Sequence, residues 1–143
     1  MRAGTEAVHQ VVGMAKALEL THQNMDLITA HIKTLNVYAV SKIKELFADV
    51  IFVGENRMDT ILNVILPLQP DQASLLLFQL DMKGISVSRG SACQSGSSKP
   101  SHVLAAVLEE SLLQKPNIRI SFSYQNTTED IDVLLAVLGE LKN

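Results

Sequence analysis

The stretch of sequence that decides the fold is IRISFSYQNTTED, residues 118–130. Its first five residues alternate apolar and polar side chains, as in a strand that buries one face. Thr127, followed three residues later by Asp130, is typical of a helix N-terminus, where a hydroxyl and an acid satisfy backbone N–H groups of the first turn. The stretch therefore predicts a strand, a turn and a final helix that reaches about Leu141.

The rest of the chain predicts further helices and strands around this unit. Short runs rich in aliphatic and β-branched residues predict three more strands, at residues 50–53, 60–66 and 85–87. Apolar residues at helical spacing predict four more helices, at residues 5–18, about 23–47, 70 to near 84, and after Pro100. This order predicts one α+β domain over residues 1–143, with a small mixed sheet of about four strands and helices packed mainly on one face.

The composition narrows the class of protein. Apolar residues make up 47% of the 143 residues and charged residues 19%, with a net charge of −3. These values are ordinary for a globular domain and do not indicate a nucleic-acid or anionic-membrane partner. No apolar run approaches the length of a membrane span, and no signal peptide is recognisable. The single cysteine, Cys93, excludes an internal disulfide and suits a reducing compartment, so we expect a cytoplasmic protein.

Cys93 lies in a Ser/Gly-rich stretch, residues 88–99, which predicts a loop. Unreactive cysteines are usually buried among apolar side chains, and Cys93 has no large apolar neighbour in this loop. Arg89 and the N-terminus of the helix after Pro100 would favour the thiolate, which is the nucleophilic form. From the residues alone, a reactive thiol and an incidental surface thiol remain alternatives.

Four segments, in this order, carry a family resemblance. They contain RAGT with HQVVG, ILNV, GSACQSG with PSHVL, and IRIS with NTTEDID, within residues 2–13, 61–64, 90–104 and 118–132. Together they resemble the pyridoxal-phosphate (PLP) cysteine desulfurases of the class V aminotransferase fold. The resemblance implies the small C-terminal domain of a fold-type I PLP enzyme with the helix leading into it, and a PLP-binding large domain absent from this chain.

The resemblance implies a sulfur-transfer mechanism. L-cysteine would react on PLP, whose ring withdraws electrons, and the thiolate of Cys93 would take the substrate sulfur as a persulfide. L-alanine would leave, and the loop would pass the sulfur to an acceptor protein such as an iron–sulfur cluster scaffold. The full-length enzyme is expected to be a homodimer.

Two other residues receive roles from the same resemblance. Arg119 is expected to bind the substrate α-carboxylate, and the alternative is a structural ion pair. Thr5 is expected to bind the PLP phosphate of the other subunit, and the alternative or additional role is a plain helix cap. His102 is expected to order a helix start rather than to transfer protons. Asn63 is expected to satisfy strand backbone rather than to contact the substrate. No metal site is predicted, since the histidines have no shared ligand spacing.

The sequence also departs from the family. It has no Ser-His-Lys segment to attach the cofactor, so we expect the chain alone to bind no PLP covalently and to be inactive. Arg89 and Lys99 stand where relatives often have a small polar residue and an acid, and they make the loop more basic. The alternatives for function are a related PLP lyase, such as a selenocysteine lyase, and a stand-alone persulfide carrier or partner-binding module.

Overall fold

The computed structural model describes residues 4–69, 72–89 and 101–142. The helices of these residues are α1 (Val8–Gln23), α2 (Met25–Leu46), α3 (Gln72–Met82), α4 (His102–Val107), α5 (Glu110–Leu113) and α6 (Thr128–Glu140). The strands are β1 (Ile51–Val53), β2 (Ile61–Ile65) and β3 (Asn117–Ser121). The α+β class predicted from the sequence is confirmed.

The three strands form one antiparallel sheet in the order β1-β2-β3. Val64 in the central strand is paired with Phe52 on one side and with Ile118 on the other. The prediction of a mixed sheet with about four strands is not confirmed for the described residues. Residues 85–87 do not form a strand, and only Ser88 pairs with β3, through a single bridge to Arg119.

A cleft explains why residues 85–87 do not join the sheet. Ser86 would pair with Ser121 if the ladder continued from the bridge, but both residues line a cavity of about 370 Å³. Gly84, with φ of +77°, turns the chain after α3 in a conformation that favours glycine. Apolar, β-branched composition predicted a strand here, yet a strand also requires a partner within hydrogen-bonding distance.

One face of the sheet holds the hydrophobic core. Leu62 and Val64 of β2 and Ile118 and Ile120 of β3 are all buried on this face. They belong to a single cluster with side chains of three helices: Ile32, Leu35, Ala39 and Ile43 of α2, Leu76 and Leu80 of α3, and Ile131, Leu134, Val137 and Leu138 of α6. Period-two alternation in the strands and the apolar stripes of the helices thus meet in one core.

The first helix extends away from this core. α1 has no buried residue, and large apolar side chains such as Val12 and Leu18 are mostly exposed. It meets α2 at Asn24, which ends one helix, begins the next and donates from Nδ2 to the carbonyl of Leu20 at 2.8 Å. The interpretation of Thr5 as a helix cap is wrong. The N-cap position is Ala7, with no side-chain cap, because the first turn begins three residues after Thr5.

The final helix begins as the sequence predicts. Thr127 Oγ1 accepts a hydrogen bond from the backbone N–H of Asp130, whose carboxylate accepts one from the N–H of Thr127. Asn126 donates to the same carboxylate, and its own carbonyl lies 2.9 Å from Nε2 of His31 in α2. The turn between β3 and α6 is therefore held both by its helix cap and by the helix packed beside it.

Replacing Thr127 with Ala should lower the free energy of unfolding by about 1 kcal/mol, because one N–H of the first turn loses its acceptor. Urea denaturation followed by circular dichroism measures this change. Thr128→Ala is the matched control, because within the described residues the hydroxyl of Thr128 donates only to the neighbouring carboxylate of Glu129. Equal losses in the two variants would contradict the assigned cap.

Asp130 should make stability depend on pH. The N–H of Thr127, and then the side chain of Asn126, hold the pKa of this carboxyl below its ordinary value. Its contribution is therefore complete above the unfolded pKa of about 3.9 and is lost as pH falls through the lower folded pKa.

Urea unfolding between pH 6 and pH 3 should show a shallower acid slope for Asp130→Asn than for the unsubstituted chain. Glu45 and Glu129 keep some slope, since hydrogen bonds from Lys42 and from the N–H of Glu129 lower the pKa of these two carboxyls. Asp49→Asn, at an exposed position after α2, is the control. An unchanged slope in Asp130→Asn would rule out this assignment.

Candidate active site

The sheet face opposite the core carries the polar residues of its two longer strands. Asn63 of β2 and Arg119 of β3 are direct cross-strand partners, and both are partly buried. Directly opposed residues of an antiparallel pair project to the same face, so these two side chains are neighbours. The face is dry at one end, where Ile65 is 1% exposed, and open at the other, where Ile61 is 38% exposed. We call it the open face.

The backbone N–H and carbonyl of Arg119 both point to the outer edge of β3, away from β2. Its N–H donates to the carbonyl of Ser88 at 2.6 Å, and its carbonyl accepts from the N–H of Ser88 at 3.2 Å. Backbone groups of alternate residues in an antiparallel strand point to opposite sides. Arg119 and Asn63 therefore form a non-hydrogen-bonded pair. In such pairs the Cα atoms lie about 4.5 Å apart, closer than in hydrogen-bonded pairs.

The bridge ties the predicted reactive segment to the strand that carries Arg119. Ser88 is the first residue of the Ser/Gly-rich stretch and pairs with Arg119, and Cys93 follows it five positions later. Cys93 and Lys99 lie outside the described residues. Ser101 is 6% exposed and precedes α4, whose first residue is His102. The role of His102 in ordering this helix start stays a prediction.

The structure places Thr5 apart from the helices that form the core. It is exposed and precedes α1, the helix without a buried residue. Its predicted ligand is a phosphate on another subunit, and an exposed hydroxyl at the end of a projecting helix is compatible with that role. Its predicted use as a helix cap is excluded by the position of Ala7.

The described residues fit only part of a PLP site. Thr5 offers a hydroxyl for a phosphate, and Arg119 a guanidinium for a substrate carboxylate. A lysine that bonds covalently to the cofactor must reach its neutral form, which burial favours. Every described lysine is exposed or only partly buried. Lys42 is less able to lose its proton, because its hydrogen bond to Glu45 raises its pKa. No step through a PLP-bound lysine is therefore assigned to these residues.

Other site types find no support in the described part of the chain. Its helices include none with the length and hydropathy of a membrane span. Nor do histidine, aspartate and glutamate side chains gather there in a group of three that could bind a metal ion.

A groove of about 660 Å³ runs along the junction of α1 and α2. It is lined mainly by apolar side chains, and His31 and Tyr124 also line it.

Sequence reasoning located Arg119 but missed its neighbour. Asn63 was expected to satisfy strand backbone, yet its side chain has no hydrogen-bond partner among the described residues. The available signal was an amide in the middle of an otherwise aliphatic strand. It could not be interpreted without the register, which sets residues 56 positions apart opposite each other.

Comparisons with known proteins give one consistent result. Residues 1–134 match the family described as Aminotransferase class-V. The chain is 36% identical over 142 residues to cysteine desulfurase IscS of Dictyoglomus turgidum, covering 98% of this chain and 36% of that protein. It is 36% identical over 146 residues to the Pseudomonas putida cysteine desulfurase IscS, covering 100% of this chain and 35% of that protein.

A solved structure agrees with these relatives. The NifS-like protein of Rickettsia africae superimposes with a TM-score of 0.78 at 31% identity, covering 99% of this chain and 36% of that one. The chain thus spans about a third of the length of the proteins it matches.

Proposed function

Because this chain belongs to the aminotransferase class-V family, we propose that it is the small-domain part of a cysteine desulfurase and supplies the sulfur-carrying thiol, Cys93. The observation that carries the proposal is the bridge between Ser88 and Arg119. It joins the start of the Cys93 segment to the strand whose arginine would hold the substrate. In this proposal, the PLP-binding part lies in the two thirds of the relatives' length that this chain does not cover.

Arg119 binds the α-carboxylate of L-cysteine in this proposal. Its planar guanidinium can donate two parallel hydrogen bonds to a carboxylate, which fixes the direction of the amino acid as well as its position. The partial burial of Arg119 next to the dry end of the open face strengthens such bonds, because the local dielectric is lower than in water. Orientation of the substrate then directs its sulfur toward the approaching thiolate.

Cys93 receives the sulfur. The thiolate forms an S–S bond with the sulfur of L-cysteine, the C–S bond breaks, and the proton of the substrate thiol ends on the carbon, so that L-alanine leaves. PLP, when bound, supplies the electron sink that makes the C–S bond breakable. Cys93 is five positions after Ser88, so the two Cα atoms can be at most about 18 Å apart when the chain between them is extended. In this proposal, that reach lets Cys93 meet both the substrate and an outside acceptor.

The surrounding roles follow from the same proposal. Thr5 of one subunit binds the cofactor phosphate in the other subunit of a homodimer, and the acceptor is a protein such as an iron–sulfur cluster scaffold. We propose a cytoplasmic location, where a single thiol remains reduced. A stand-alone persulfide carrier is the second candidate, favoured because no described lysine is fully buried.

Mass spectrometry of the PLP-loaded enzyme that contains this chain should find one added sulfur atom on Cys93 after exposure to L-cysteine. Cys93→Ser should abolish the adduct and the sustained release of L-alanine, while cofactor absorbance persists, because only the sulfur acceptor has been removed. Ser91→Ala, in the same segment, is the control.

Undiminished turnover in Cys93→Ser would contradict the proposal. Sulfur loading of Cys93 by a separate persulfide donor, without alanine release from cysteine, would identify the carrier instead. Equal or faster turnover of L-selenocysteine would identify the related lyase.

Arg119→Lys should raise the KM for L-cysteine roughly 10- to 100-fold, because a lysine keeps the charge but cannot donate in the two-pronged geometry. The kcat should fall less, since the contact is made to ground state and transition state alike. Steady-state kinetics measures both values. Arg57→Lys is the matched control, because Arg57 contacts the carbonyl of Gly54 and lies over the ring of Phe52. An unchanged KM in Arg119→Lys would refute the assigned carboxylate contact.

A further inference from the structure

We infer that Asn63 is a second substrate-binding residue, whose side-chain amide donates a hydrogen bond to the carboxylate held by Arg119. This inference rests on the proposed function and adds a residue to its site. Three independent observations support it: the register of the sheet, the partial burial of Asn63, and the hydrogen-bonding state of its side chain.

The register places the amide beside the guanidinium. Asn63 is the direct partner of Arg119, in a pair that exchanges no backbone hydrogen bonds. Cβ atoms of such pairs lie about 4.5 to 5.5 Å apart on one face of the sheet. The side chains of Asn63 and Arg119 therefore begin at neighbouring points on the open face. A carboxylate bound by the guanidinium can then also accept a hydrogen bond from the amide.

The environment of Asn63 favours a role in ligand binding over a structural role. Its neighbours in β2 are Leu62 and Val64, whose side chains are fully buried on the other face. The Asn63 side chain is partly buried, and it makes no hydrogen bond to another described residue. Asn63 is not among the buried side-chain polar atoms without a partner, so its amide remains open to an incoming acceptor. Aliphatic residues suit strand centres better than asparagine, so the amide has no evident structural benefit here.

The chemistry of the amide defines the ligand. Nδ2 offers two N–H donors and no charge, so it suits an acceptor that already has a cationic partner. A carboxylate has about four acceptor positions, of which a two-pronged arginine uses two. The amide of Asn63 would take a third. It would then discriminate amino-acid substrates from amines that lack the carboxylate, because only the former supply the acceptor.

The test compares two ligands that differ only in the carboxylate, L-alanine and ethylamine, on the PLP-loaded enzyme. Asn63→Ala should raise the Kd for L-alanine and the KM for L-cysteine about 10-fold, the size of one hydrogen bond to a charged group. The Kd for ethylamine should not change. Calorimetry measures the Kd values without turnover. Ser121→Ala, on the same face and strand as Arg119, is the control and should leave both ligands unaffected.

A double-mutant cycle separates this inference from the proposed function. If the two residues share a ligand, the effect of Asn63→Ala should shrink in the Arg119→Lys background. Weaker alanine binding in Arg119→Lys alone, with none in Asn63→Ala, would overturn the inference and leave the proposed function intact. Unchanged binding in both variants would overturn the carboxylate site itself.

Equal weakening of L-alanine and ethylamine in Asn63→Ala would show a structural role and overturn the inference. Asn63→Thr keeps a residue that suits a strand and still removes both amide donors, so it replaces the alanine variant if that chain does not fold. The same selective loss of L-alanine binding is expected for it.

Discussion

The structure depends on the antiparallel pairing of β2 with β3. This pairing aligns two strands whose side chains alternate with the same period, so that Leu62 and Val64 lie beside Ile120 and Ile118 on the core face. The same register sets Asn63 beside Arg119 on the other face. A shift of one residue would exchange the faces of the moved strand and expose its aliphatic side chains while burying an arginine. The free energy of the core therefore also fixes the geometry of the candidate site.

The fold could be predicted from the sequence wherever local signals were sufficient. The alternation in residues 118–122 and the capping pair of Thr127 and Asp130 predicted β3 and α6 almost to the residue. Prediction failed where the outcome depends on distant residues. Residues 85–87 have strand composition but meet a cleft instead of a partner. Thr5 has the chemistry of a cap, but the backbone enters the helix at Ala7.

The candidate site was likewise predictable only where local sequence signals were sufficient. An arginine in an alternating apolar strand signals an anionic partner from its own neighbours, so Arg119 was recognisable locally. The roles of Cys93 and Thr5 came from the family resemblance alone. Asn63 could not be chosen from the sequence, because its significance comes from the strand that pairs with it and not from its neighbours along the chain.

The joint at Asn24 has a mechanical consequence for the hydroxyl of Thr5. α1 has 16 residues, a length of about 24 Å, and none of them is buried against the core. A change of about 10° at the joint would move the far end by roughly 4 Å, more than the length of a hydrogen bond. In the proposed role of Thr5, the position of its hydroxyl would therefore be set by the contacts that support α1 along its length.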